Sequence, residues 1–290
     1  AIESRIYAED PERNFMPSIG RLITYKPPLN IDNIRNDTGV CEGGEISMFY
    51  DPMISKLCSY GKTRIEACNL MQEALNNFEI FGIQNNLNLL SSIIKNKKFI
   101  DGDINTGFIN EEYPEGFSSK VIDPKDGLIF SLAAVFAYIK EKNNSLISEN
   151  KNHPLLNEKS LVASIGKNIF EFKSYNTLKN IIIEHDGVTI SLESNWKPED
   201  NLIKIKVDEK LLTLKIQKSI KGYEIQGFGL TGVVKIRTKI AHDLSVHMIE
   251  KVVVKNTKII KCPMPGLIVS IDVKQGQAVE DGDKLFTVEA

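Results

Sequence analysis

The segment Leu128-Ile129-Phe130-Ser131-Leu132-Ala133-Ala134-Val135-Phe136-Ala137-Tyr138-Ile139-Lys140-Glu141-Lys142 sets apolar side chains around nearly the full circumference of a helix. Such a helix has no wet face and must be buried on most sides. Its apolar run, Leu128 to Ile139, is about twelve residues long, too short to cross roughly 30 Å of hydrocarbon. Protein, not lipid, has to surround it. Short β signals follow at Leu161 to Phe172, Ile181 to Glu184, Thr189 to Leu192, Leu202 to Val207, Leu211 to Ile216, Tyr223 to Phe228 and Val233 to Thr238. Turns such as Asp186-Gly187 and Lys221-Gly222 separate them. One apolar helix followed by many short strands predicts an antiparallel β-barrel around a central helix over residues 113–252, with Trp196 as a core anchor.

Upstream, residues 1–112 mix strand and helix signals and predict an α+β module beginning with a strand at Ser4 to Ala8. Thr63 with Glu66 three residues on is a capping box, and Ile65, Cys68, Leu75 and Phe78 follow at helical spacing. A second helix is expected from Asn86 to Lys95, with Leu87, Leu90 and Ile94 on one face. Tyr113-Pro114-Glu115-Gly116 closes this module. Downstream, residues 253–290 alternate Leu267, Val269, Ile271 and Val273 before Gly276 and Gly282, as a small β module with tight turns does. Ala1 to Tyr7 and Leu285 to Ala290 both read as strand interiors, so both ends are expected to be cut points within domains.

Thirty-six Lys and Arg stand against thirty-eight Asp and Glu, a net charge of −2 with no dense block of one sign. Nucleic acid is therefore not expected as a partner, nor is a membrane. Cys41, Cys58, Cys68 and Cys262 form no CxxC pair, which argues against a disulfide framework or a zinc site and for a reducing compartment. His153, His185, His242 and His247 lack metal-ligand spacing, and no metal site is expected. The glycines at 166, 187, 222, 227, 229 and 232 precede no helix start and read as turn or bulge residues, not as a phosphate loop.

Several ordered blocks carry a family resemblance. Arg5-Ile6-Tyr7-Ala8-Glu9-Asp10-Pro11, Pro17-Ser18-Ile19-Gly20, Ile34-Arg35-Asn36-Asp37-Thr38-Gly39 and Tyr50-Asp51-Pro52-Met53-Ile54-Ser55-Lys56-Leu57 resemble the C-terminal subdomain of biotin carboxylase, an ATP-grasp enzyme. Ser194-Asn195-Trp196, Leu202 to Asp208, Lys239 to Leu244 and Met248 to Val252 resemble the linker domain of the propionyl-CoA carboxylase branch of the biotin-dependent acyl-CoA carboxylases. Pro263-Met264-Pro265-Gly266, Val273 to Val279 and Gly282 to Leu285 are similar to the first half of a biotin carrier domain of the biotinyl/lipoyl type.

The resemblance implies site residues. Arg35 matches the arginine that holds the ureido oxygen of biotin, a role that suits a fixed guanidinium facing developing negative charge. By its residues alone Arg35 reads as a surface arginine paired with Asp32 or Asp37, and only the motif around it points to the biotin role. Asp51 either lies near biotin or caps a turn before Pro52, and Glu9 and Asp10 cap a turn before Pro11. Arg64 matches a dimer-contact position of bacterial relatives or is a solvated first-turn arginine. Thr106, beside Asn105, falls where the family contacts the ATP adenine, though a more apolar residue is usual there.

The family works in two steps: ATP and bicarbonate carboxylate biotin, and a carboxyltransferase β subunit passes the carboxyl to an acyl-CoA. The resemblance places the glycine-rich lid, the magnesium-binding glutamates, the ATP lysine and the bicarbonate arginine before Ala1, and the biotin attachment lysine just beyond Ala290. The segment alone is then expected to be inert. ATP with magnesium and biotin are the implied cofactors; the β subunit and biotin protein ligase are the implied partners. The implied location is bacterial cytoplasm or mitochondrial matrix. Acetyl-CoA and methylcrotonyl-CoA carboxylases, or a non-catalytic split-gene product that only docks the β subunit, are the alternatives.

Overall fold

The computed structural model describes residues 1–47, 51–149, 159–176, 180–245, 247–248, 266–279 and 284–289. They fall into two compact units, residues 1–246 and 247–290.

The first unit opens with an antiparallel sheet in the order β1 (Ile2–Tyr7), β8 (Met53–Ser59), β6 (Ile34–Thr38). Small ribbons flank it: β2 (Glu9–Asp10) with β3 (Met16–Pro17), β4 (Gly20–Arg21) with β7 (Glu45–Ile46), and β5 (Thr24–Lys26) with β9 (Glu79–Phe81). Strand alternation divides the sheet. Ile2, Ser4 and Ile6 point inward, while Glu3 and Arg5 face out. Helix α1 (Arg64–Asn77) covers the inner face, with Ala67, Cys68, Met71, Ala74 and Leu75 buried. Half of the expected capping box forms, Glu66 N–H donating to Thr63 Oγ1 at 3.2 Å, while the Glu66 carboxylate reaches one residue further back and accepts from Lys62 N at 2.7 Å. Ile65, expected on the apolar stripe, is instead 60% exposed, because in the first turn its direction misses the sheet.

Helix α2 (Leu87–Lys95) starts at Asn86, whose side chain accepts from Tyr7 N at 2.9 Å and donates to Arg5 O at 3.1 Å, tying the helix start to β1. Short helices α3 (Lys97–Asp101) and α4 (Phe108–Glu112) complete this part.

Helix α5 (Pro124–Glu149) is longer at both ends than its apolar run. From Gly127 to Glu141 none of its residues is exposed. Eight strands form a closed antiparallel barrel: β10 (Lys159–Ile165), β11 (Asn168–Asn176), β12 (Ile181–His185), β13 (Val188–Glu193), β14 (Leu202–Val207), β15 (Lys210–Ser219), β16 (Gly222–Gly227) and β17 (Leu230–Thr238). Pairing of Leu161 with Thr238 closes the ring. The span Leu161 to Phe172, expected as one β signal, is a hairpin that reverses at Gly166, whose φ of +57° lies in the left-handed region. Every strand sends residues into one core with α5, among them Leu161, Phe172, Ile183, Leu192, Ile203, Leu214, Ile225 and Val234. Trp196 joins that core and donates from Nε1 to Asp200 O at 2.9 Å. Closure removes the edges that an open sheet would expose. Helix α6 (Lys239–Ser245) follows.

The barrel is joined to the α1–α2 layer by specific contacts. Asn88 Nδ2 donates to Thr231 Oγ1 at 2.8 Å, and Phe228 N donates to Asn76 Oδ1 at 3.4 Å. At Gly229, whose φ is +82°, an added Cβ would lie 2.9 Å from both Asn88 O and Ser92 N, so the β16–β17 turn rests directly on the α2 backbone. Glu12 holds the entry to α5: it accepts from Ser119 Oγ at 2.5 Å and Lys120 Nζ at 2.6 Å. Burial pushes the Glu12 carboxyl up, but these donors bring it below the usual carboxylate range.

In the second unit the described elements are strands β18 (Leu267–Ile271) and β19 (Phe286–Glu289), paired antiparallel. Leu267, Ile268, Val269 and Ile271 are exposed on it. Pro263 to Pro265 and Gly282, on which the carrier-domain reading also drew, lie outside the described residues. Among the described residues no helix is long and apolar enough to cross a membrane.

Candidate functional site

Strand β6 positions Arg35. Its inward residues are pinned from behind: Asn36 Nδ2 donates to Tyr25 Oη at 3.1 Å, Tyr25 Oη donates to Thr38 Oγ1 at 2.8 Å, and Thr38 Oγ1 donates to Ile54 O at 3.1 Å. With period two, Arg35 and Asp37 then project from the opposite face. The Arg35 side chain is 72% exposed. Its Nε and Nη2 lie 3.2 and 3.1 Å from Asp37 Oδ2, and Nη2 points toward Cys58 Sγ at 3.9 Å. Of the two aspartates the sequence offered, Asp37 is thus the partner, and its charge raises the already high guanidinium pKa.

Register explains the rest of this face. Glu3 and Arg35 flank Cys58 on opposite sides, and Arg5 and Asp37 flank Lys56 in the next row. Arg5 Nε donates to Glu3 Oε1 at 3.0 Å. The outer face is therefore a small array of alternating charge. A cleft of about 610 Å³ opens at one end of it, lined by Ile2, Glu3, Asn33, Arg35, Cys58 and Tyr60 among others. Glu3, Lys56 and Cys58 were not singled out from the sequence, and only strand alternation together with register brings them beside Arg35.

The other two candidates lie elsewhere. Asp51 precedes β8 and accepts from Met53 N at 3.2 Å, the turn-capping geometry expected of a residue before Pro52. Since β8 runs back from Cys58, roughly 20 Å of extended chain separates the Arg35 row from Asp51 at about 3.3 Å per residue. Asp51 neighbours Glu9 instead, whose carboxyl is pushed up by burial and by the Asp51 charge. Asp10 Oδ1 accepts from Glu12 N at 3.0 Å as a turn cap. Thr106 is exposed in the loop between α3 and α4, and the neighbouring Asn105 spends its side chain on Gly107 N at 2.6 Å and Glu111 at 3.1 Å. Arg64 is committed within the chain: Nε and Nη2 donate to Phe99 O at 3.0 and 2.7 Å, and the guanidinium stacks 4.9 Å from the Phe99 ring centroid. Among the described residues no group of three or more His, Cys, Asp or Glu could hold a metal ion.

Comparison with known proteins adds two matched regions. Residues 3–111 match the family described as Biotin carboxylase C-terminal domain, and residues 129–251 match the family described as Propionyl-coenzyme A carboxylase BT domain. The chain is 40% identical over 319 residues to a Propionyl-CoA carboxylase alpha chain of Ruegeria pomeroyi, covering 100% of this chain and 46% of that protein. It is 34% identical over 299 residues to the mitochondrial Propionyl-CoA carboxylase alpha chain of Homo sapiens, covering 100% of this chain and 41% of that protein. A crystal structure of the biotin carboxylase subunit of pyruvate carboxylase is 38% identical over 39% of this chain and 25% of its own, with a TM-score of 0.37. The chain spans less than half the length of the curated relatives it matches.

Proposed function

The chain belongs to the propionyl-CoA carboxylase alpha-chain family, and on that premise we propose that it is the part of such a subunit that links biotin carboxylation to the carboxyltransferase. In this reading residues 1–112 are the carboxylase C-terminal subdomain, 113–252 the linker domain that docks the β subunit, and 253–290 the start of the carrier domain. The parent enzyme carboxylates biotin with ATP and bicarbonate, and its β subunit loads propionyl-CoA. Acceptor biotin is attached by biotin protein ligase to a lysine outside residues 1–290. The parent works in bacterial cytoplasm or mitochondrial matrix.

The observation that carries this reading is Arg35: an exposed guanidinium, its strand pinned from behind, at the wall of a cleft large enough for a bicyclic urea. The residues present fit biotin as a donor fits an acceptor. When bound, biotin supplies a nucleophilic ureido nitrogen. Arg35 donates to the ureido oxygen and stabilises the negative charge that gathers there, the way a preorganised donor serves an oxyanion. Thr106 is assigned to the adenine end of the nucleotide, beside an Asn105 committed to Gly107 N, whereas Asp51 caps its own turn away from the residues that line the Arg35 cleft. No magnesium step is assigned to this chain, whose described carboxylates form no cluster.

The test is a chimera in which these residues replace the matching part of the Ruegeria pomeroyi relative. Arg35→Ala should lower the rate of free-biotin carboxylation by about 10²–10³, equivalent to about 2.7–4 kcal/mol. An unchanged rate removes Arg35 from the mechanism.

A further inference from the structure

The barrel does not close evenly, and we infer that the gap in its β13–β14 seam is a docking site for an extended acidic peptide segment of a partner, added to β14 as a further strand. The ladder between β13 and β14 consists of the pairs Leu192 with Val207 and Glu193 with Lys206. Ile216 N donates to Asn201 O at 2.8 Å, so the odd-numbered residues of β14 turn their backbone groups toward β15 and the even-numbered ones toward β13. On the β13 side Asp208 N still reaches Ser191 O at 2.9 Å, but past Lys206 the ladder stops. There Lys204 O accepts from Ser194 Oγ at 2.6 Å in place of a backbone donor. Lys204 N and both backbone groups of Leu202 have no hydrogen-bond partner among the described residues. They form an open edge about 7 Å long, at roughly 3.3 Å per residue, of the kind that takes up an added strand.

The loop opposite is braced and does not fill the gap itself. Trp196 anchors it in the barrel core and donates to Asp200 O, while Lys197 N donates to Asp200 Oδ2 at 3.1 Å and Asp200 N to Lys197 O at 2.9 Å. Between this loop and β14 a groove of about 480 Å³ remains, lined by Glu193, Trp196, Leu202, Lys204 and the exposed Leu211 among others. Its charges select the occupant. Glu193 Oε1 already accepts from Asn180 Nδ2 at 2.7 Å, whereas Lys204 is exposed and enters no ion pair among the described residues. A second copy of the chain paired edge to edge would bring two Lys204 ammonium groups onto one face, directly opposed or one diagonal apart. A carboxylate at that place is attracted instead. In an antiparallel addition the residue opposite Lys204 comes two before the one opposite Leu202. The segment therefore reads acidic, small, apolar from its N-terminal side, with the small residue turned inward toward Trp196.

Amide exchange followed by NMR on the 290-residue chain tests this. In the free chain the Leu202 and Lys204 amides should exchange with solvent several-fold faster than those of Ile203 and Ile205, which pair with β15. The synthetic peptide acetyl-Thr-Glu-Ala-Val-Thr-amide should slow both amides several-fold. N-methylation of its valine, which removes the donor to Leu202 O, should weaken binding several-fold, and so should lysine in place of its glutamate. Lys204→Glu changes an exposed side chain, so protection of Ile203 and Ile205 should stay as in wild type while the preference reverses toward the lysine peptide. Protected Leu202 and Lys204 amides in the free chain would mean that the seam is already closed. A concentration-dependent dimer that protects these amides would put a second copy in the seam. Each of these results overturns the proposal, as does binding indifferent to N-methylation or to charge, or no slowing up to the solubility limit of the peptide.

Discussion

Lys215 is a charged side chain buried at a cost, and replacing it should stabilise the protein. It lies on β15 but faces away from the barrel core, wholly buried against the last turn of α1, where Nζ donates to Leu75 O at a long 3.5 Å. Burial drives its pKa from 10.5 to about 8, against a smaller opposing pull from Glu79. The fall from 10.5 to about 8 corresponds to about 3 kcal/mol. The sign follows from proton counts. Between pH 8 and 10.5 the unfolded chain holds the Lys215 proton and the folded one has released it, so wild-type stability rises with pH across this window and the cost is complete below it. Lys215→Met keeps the length and removes the charge. Leu75 O keeps an acceptor role toward Phe78 N at 3.4 Å, but the buried Glu79 Oε2 has no hydrogen-bond partner and keeps only Lys26 at 3.7 Å, which takes part of the gain away. Urea denaturation should show Lys215→Met more stable by about 1–3 kcal/mol at pH 7, with the gap to wild type closing as pH approaches 10. A gap independent of pH, or a variant less stable than wild type at pH 7, refutes the reasoning.

Two further substitutions probe the barrel and its joint. Phe136→Ala, at a side chain 1% exposed in the centre of α5, should cost about 3–5 kcal/mol in the same assay, and a loss under about 1 kcal/mol would mean that the barrel collapses onto the cavity. Gly229→Ala should cost clearly more than Gly166→Ala, because both leave a left-handed residue, worth about 1–2 kcal/mol, but only at 229 does the Cβ strike the α2 backbone; hydrogen exchange in residues 87–95 should accelerate in the first variant alone.

The helix-in-barrel core was legible because it depends on a one-dimensional pattern: an apolar run with no polar stripe can only be enclosed, and the later strands alternate in the simplest way. The ends of α5 were less so. Its start is marked by Asp123-Pro124, with Asp126 N donating to Asp123 Oδ1 at 2.7 Å, a signal masked by the apolar run that begins at Leu128. The sequence reads Gly166 as a turn residue and Leu161 to Phe172 as one β signal, and the two readings together amount to the hairpin that the structure shows. The face around Arg35 was half legible. A motif singled out Arg35, and strand period alone would have chosen Asp37 over Asp32. Lys56 and Glu3 required the register of three strands distant in sequence. Lys215 had no signal at all, because among Lys204, Lys206, Lys210, Lys215 and Lys218 only tertiary packing decides which one is covered by another layer.

That covered lysine shows how the two halves of the first unit are related mechanically. Helix α1 lies under β8 and the other strands that carry the Arg35 face, and the same helix meets β15 through Lys215 at its C-terminal turn. Moving the barrel relative to the sheet would break the Lys215 and Asn88 contacts together and drive Gly229 against α2, since packed layers resist continuous deformation. The face itself is built differently: Arg35, Asp37, Arg5 and Glu3 are exposed and held by single ion pairs, each worth little in water. The two parts thus differ in kind: close backbone contacts and hydrogen bonds hold the barrel to the α1–α2 layer, while the outer face of the sheet relies on exposed ion pairs. An exposed pair such as Arg35–Asp37 is a poor stabilising element, and in the proposed role of Arg35 that weakness is useful, because a stronger pair would hold the guanidinium against an incoming acceptor.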